Sequence, residues 1–125
     1  MDPIYLDYNA TTPIDPEIAE TILPFIIHHY GNPSSTHAYG TFASQAVNNA
    51  RKQVSDMLNC DPEEVIFTSG GTESNNHAIK GIASTYRHKG NHIITSSVEH
   101  PAVAEVCQWL ETQGYRITYL TVDKL

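Results

Sequence analysis

The sequence predicts an α/β protein: a helical N-terminal arm, then a strand–helix–strand–helix–strand run with parallel strands. Three observations carry this. Short runs rich in β-branched and aromatic residues fall at 65–68, 92–95 and 115–121. Between them, Ile79, Ile82, Ala83 and Tyr86, and then Val103, Val106, Cys107 and Leu110, recur at i, i+3, i+4, i+7. Strands alternating with helices in this way indicate parallel pairing. Before residue 60 the rhythm is helical, apart from a short extended piece at 4–7.

Taken in order, Asp15-Pro16-Glu17 reads as a helix start, with a capping acid, proline at the first helical position and an acid at the positive helix end. Ile18, Ile22 and Phe25 or Ile26 continue at helical spacing, and Pro24 is expected to kink or shorten that helix. Gly31-Asn32-Pro33-Ser34-Ser35 is a loop by composition. A longer helix is expected from about 37 to 58, with Phe42, Ala46, Ala50, Val54, Met57 and Leu58 as its apolar stripe. Asp61-Pro62-Glu63-Glu64 repeats the cap-plus-proline signal and predicts a single turn. The organisation expected is an arm with helices over 1–60 and the start of a larger domain over 61–125.

Composition narrows the function classes. The 125 residues are 40% apolar and 17% charged, ordinary for a soluble globular chain. The net charge of −7 comes from scattered acids, and no basic cluster suits nucleic acid. No segment is long and apolar enough for a bilayer, and Met1-Asp2-Pro3 does not open a secretory signal. Cys60 and Cys107 lie far apart and form no CxxC, so two buried, reduced thiols in an intracellular protein are expected. The histidines show no zinc-like spacing, so no metal site is expected. The G-x-S-x-G elbow of serine hydrolases is absent.

Three segments could carry chemistry. Thr68-Ser69-Gly70-Gly71-Thr72-Glu73-Ser74-Asn75-Asn76 lies between an expected strand and an expected helix. Glycines allow close backbone approach, and a helix start offers unpaired N–H groups, which together suit a phosphate. Ser69, Thr72 and Ser74 could add hydroxyl donors. The same residues equally suit a plain strand-to-helix turn capped by Thr72. No Gly-Lys-Ser/Thr or GxGxxG closes a nucleotide motif. The second segment, Ser96-Ser97-Val98-Glu99-His100-Pro101, follows the next strand, so His100 would face the same crevice. Its imidazole could stack on a ring or move protons, or simply cap a helix. The third, Tyr5-Leu6-Asp7-Tyr8-Asn9-Ala10-Thr11-Thr12-Pro13, is either a site lining or a plain arm. Cys107 falls on an apolar helical stripe and reads as core.

In this order, the Tyr5–Pro13 segment, Gly31-Asn32-Pro33-Ser34-Ser35 with His37, and Phe67-Thr68-Ser69-Gly70-Gly71-Thr72-Glu73-Ser74-Asn75 resemble the cysteine desulfurases, class V aminotransferase-group enzymes of fold type I that use pyridoxal 5'-phosphate (PLP). His92-Ile93-Ile94-Thr95-Ser96 and Glu99-His100 extend the resemblance along the chain. It implies the N-terminal part of that fold and that activity: removal of sulfur from L-cysteine to leave alanine and an enzyme persulfide. It implies that Gly71 and Thr72 bind the PLP phosphate, that His100 stacks on the pyridine ring and takes part in proton transfer, and that Asn9, Ala10 and Thr11 border the substrate pocket. It also implies a homodimer in the complete enzyme and a possible sulfur-acceptor protein. The Schiff-base lysine and persulfide cysteine of the family would lie beyond residue 125. Lys52, Lys80, Lys89, Lys124, Cys60 and Cys107 do not match their contexts. The resemblance therefore implies an incomplete sheet with open strand edges, and the chain alone is expected to be inactive and either marginally folded or dependent on a partner. A selenocysteine lyase or another class V lyase is the alternative within the family. A non-catalytic fragment that pairs with a full-length homologue is the alternative of another class.

Overall fold

The computed structural model describes residues 3–123. These residues form two compact units, divided between Val65 and Ile66.

The first unit is helical. Helix α1 spans Pro16–Ile27, with the Asp15 carboxylate accepting from the Glu17 N–H at 2.9 Å. Pro24 does not stop it; the helix runs three residues further and ends with the His28 N–H on the Pro24 carbonyl at 2.8 Å. Helix α2 spans Ala38–Leu58 and is capped by His37, whose Nδ1 accepts from the Gly40 N–H at 3.3 Å. Its far end closes on Asn59 in the left-handed conformation (φ 54°), a role asparagine tolerates better than most residues. A single 3-10 turn at Pro62–Glu64 follows, as the Asp-Pro signal predicts. The Glu64 carboxylate accepts from the Asp61 N–H at 2.9 Å. The Arg51 Nε donates to the Val65 carbonyl at 3.2 Å. Two glycines serve close approach. A Cβ on Gly31 would collide with the Tyr39 backbone, and one on Gly40 with the Ser35 carbonyl. The 31–35 loop can therefore fold against the start of α2 only where side chains are missing.

The second unit holds the sheet. Helix α3 spans Gly71–Tyr86, strand β1 His92–Ser96, helix α4 Pro101–Thr112 and strand β2 Arg116–Leu120. The strands pair in parallel, His92 opposite Arg116 and Ser96 opposite Leu120. Helix α4 is the crossover, and it packs against α3 and both strands. Val106, Leu110, Ala83 and Tyr115 form the core, with Ile79, Ile93 and Ile117 against it. The Tyr115 hydroxyl is satisfied by the Ala83 carbonyl at 2.6 Å. A positive-φ Gly114 (φ 84°) makes the tight turn from α4 into β2.

Two expectations are corrected. Residues 65–68 are not a strand; among the described residues the sheet contains only β1 and β2. Val65 keeps extended dihedrals (φ −90°, ψ 118°). A β-prone run becomes a strand only where a neighbour pairs with its N–H and C=O groups. The second correction concerns the thiols. Cys107 is buried, but Cys60 is only half-buried, because it follows the exposed C-terminal turn of α2.

Candidate functional site

The start of α3 is built by side chains that tie the turn to itself. Thr68 Oγ1 and Ser74 Oγ lie 2.6 Å apart, and both reach the Gly70 carbonyl (3.3 and 3.2 Å). Glu73 Oε2 accepts from the Ser69 N–H at 2.7 Å and the Ser69 hydroxyl at 2.6 Å. The Ser69 hydroxyl, followed by its N–H, holds the Glu73 carboxyl below its ordinary value. The Ser69 and Ser74 hydroxyls are thus committed within the turn. The Thr72 hydroxyl makes no hydrogen bond among the described residues. Gly70 caps α3 without a side chain, whereas Asp15, His37 and His100 cap the other three helices with theirs. Nothing lies within 4 Å of where a Cβ would stand on Gly70 or Gly71. The first N–H groups of α3 have no carbonyl within the helix to take them and lie at its positive end.

His100 begins α4, and its Nδ1 accepts from the Ala102 N–H at 3.0 Å. That contact leaves Nδ1 unprotonated, so the neutral ring carries its proton on Nε2. Thr72 and His100 line one cleft of about 340 Å³ together with Asn76, Lys80, Glu105 and Trp109. Gly71 immediately precedes Thr72 in the first turn of α3. Lys80 Nζ sits 4.9 Å from the Trp109 ring centroid, close enough for a cation–π contact. Asn76 closes the 68–76 segment that the sequence singled out, whereas Lys80, Glu105 and Trp109 were missed as cleft residues. The signal was spacing: Thr72, Asn76 and Lys80 stand at i, i+4 and i+8 on α3, and Glu105 and Trp109 at i and i+4 on α4.

Asn9, Ala10 and Thr11 belong to the first unit. They sit in an exposed turn where the Ala10 N–H meets the Asp7 carbonyl at 3.1 Å, and the Tyr5 hydroxyl donates to the Asp7 and Thr11 carbonyls (2.8 and 3.1 Å). Burial pushes the Cys107 thiol up, away from the reactive thiolate. Among the described residues no group of three His, Cys, Asp or Glu could hold a metal ion. No helix there is long and apolar enough to cross a membrane.

A family model described as Aminotransferase class-V matches residues 4–125. The chain belongs to the class V aminotransferase family. Its strong relatives within that family are cysteine desulfurases. The cysteine desulfurase of Rattus norvegicus is 50% identical over 125 residues, covering 99% of this chain and 28% of that protein. The cysteine desulfurase IscS of Methanosarcina thermophila is 53% identical over 121 residues, covering 97% of this chain and 30% of that protein. The solved structure described as a NifS-like protein superposes with a TM-score of 0.86 at 38% identity, over 94% of this chain and 32% of its own. "SspA in complex with cysteine" gives 0.83 at 40%, over 93% and 33%. This class V chain therefore spans about 30% of the length of the curated relatives it matches. The family resemblance read from the sequence and the fold it implies agree with these relatives. The α3 turn also fits a phosphate group chemically. It offers two backbone N–H groups and one uncommitted hydroxyl, beside glycines with open space.

Proposed function

We propose that this chain is the N-terminal portion of a PLP-dependent cysteine desulfurase, with residues 1–60 as arm and helices and 61–125 as the start of the PLP-binding domain. The observation that best supports the reading is the shared cleft of Thr72 and His100, where a helix start meets an imidazole. In this reading the Gly71 and Thr72 N–H groups and the Thr72 hydroxyl bind the phosphate of PLP. The His100 ring lies against the pyridine, and its Nε2 holds and passes a proton. Its Nδ1 contact to Ala102 keeps the ring in the required tautomer. Asn9, Ala10 and Thr11 border the pocket for L-cysteine. Bound PLP supplies the electron sink that lets the sulfur leave and alanine remain. The lysine that anchors the cofactor and the cysteine that receives the sulfur are contributed from outside residues 1–125. The chain alone is inactive, and the complete enzyme is a soluble intracellular homodimer that hands sulfur to an acceptor protein.

The test joins this chain to the remaining length of the Methanosarcina thermophila relative. The chimera is expected to release alanine from L-cysteine, and His100→Ala should lower kcat by roughly 100-fold. A folded chimera that binds PLP but forms no alanine would sink the proposal. The isolated chain, mixed with PLP and borohydride, should show no single lysine labelled at one defined position by peptide mass spectrometry.

A further inference from the structure

One side chain at the α3 turn acts on the glycine pair without belonging to the proposed phosphate donors. Glu73 is the third residue of α3, and its Oε2 takes both the N–H and the hydroxyl of Ser69 (2.7 and 2.6 Å). In a capping box the third helical residue returns to the N–H of the cap itself. Here it reaches one residue further, so the contact spans Gly70 and Gly71 together. The space beside both glycines is open, with nothing within 4 Å of a notional Cβ. Glycine is also the residue with the most backbone freedom to lose. The Thr68–Ser74 contact ties the carbonyl side of the same turn through Gly70 O. The Glu73 contact is the matching tie on the N–H side.

We infer that Glu73 is a positioning residue: its ionised carboxylate straps Ser69 to the first turn of α3 and so aims the Gly71 and Thr72 N–H groups at an anion. The inference rests on the proposed reading that those groups take a phosphate. It has a definite sign. A carboxylate that merely sat nearby would repel a phosphate, and removing it would tighten binding. A strap that organises the donors predicts the reverse, because disordered donors must be ordered again on binding.

The experiment uses the isotope-labelled 125-residue chain and follows backbone amides by NMR. The probe is pyridoxamine 5'-phosphate, which has no aldehyde to couple to lysines; inorganic phosphate is the second probe. In the wild type, Gly71 and Thr72 amides should shift on titration with both. Glu73→Ala should weaken that binding roughly threefold or more, and Glu73→Gln, which keeps one acceptor oxygen, should fall between. The lowered Glu73 carboxyl adds a pH readout. The strap is complete above the ordinary glutamate range and is lost as pH falls through the lowered value. The Ser69 amide should move at that pH in the wild type and stay still in Glu73→Gln. Equal or tighter binding by both variants would overturn the strap and leave the phosphate reading standing. A wild-type chain whose β1 and β2 amides show the paired sheet but whose Gly71 and Thr72 amides ignore both probes would overturn both. Unchanged β1 and β2 amides serve as the folding check; where Glu73→Ala disturbs them, Glu73→Gln decides.

Discussion

The two units of this chain are built on opposite terms. Up to Val65, helices are long and well capped, yet the buried residues of α1 and α2 are only Gly40, Ala43 and Ser55. Phe25, Phe42 and His29 touch one another, with His29 and Phe42 centroids at 4.4 Å, but Phe25 and Phe42 stay substantially exposed. From Ile66 onward the helices are no better patterned, but α4 is clasped by α3 and two strands, and Val106, Cys107 and Leu110 are 1–3% exposed. The difference teaches that an apolar stripe makes a helix but does not close a core. Closure needs a second and third layer.

The largest test of that contrast is a pair of equal truncations. Leu110→Ala, in the core, should cost about 2–5 kcal/mol. Leu58→Ala, at the exposed end of α2, should cost about 0.5 kcal/mol or less. Denaturant unfolding followed by Trp109, the single tryptophan, reads the first directly. Equal losses would erase the contrast. A smaller effect is expected from Tyr115→Phe, which removes only the hydroxyl bonded to Ala83; about 1 kcal/mol should be lost in the same melt. The smallest concerns the two histidine caps. His100→Ala should speed amide exchange at Ala102 by a few-fold, and His37→Ala should do less at Gly40, because its contact is longer (3.3 against 3.0 Å). A larger effect at Gly40 would place the better-held cap in the first unit.

Much of this molecule was readable from local signals. The Asp15-Pro16 and Asp61-Pro62 starts, the ends of α2 and the strands near 92–96 and 116–120 depend on propensity, capping and periodicity, which act within a few residues. Gly70-Gly71-Thr72 between a β-prone run and a helix marked the anion-suited turn, and the order of the motifs marked the family. What the tertiary structure alone decided is which of those pieces are completed. Residues 65–68 have the composition of a strand but not its ladder, because pairing needs a neighbour that composition cannot supply. The hydroxyls of Ser69 and Ser74 looked like ligand donors, yet they are taken by Glu73, Thr68 and the Gly70 carbonyl, local partners four to six residues away that composition alone does not choose between. Thr72 and His100, 28 positions apart, share a cleft because α4 packs on α3. Short-range stereochemistry writes elements into a sequence, whereas burial, pairing and shared clefts depend on contacts between residues far apart in the chain.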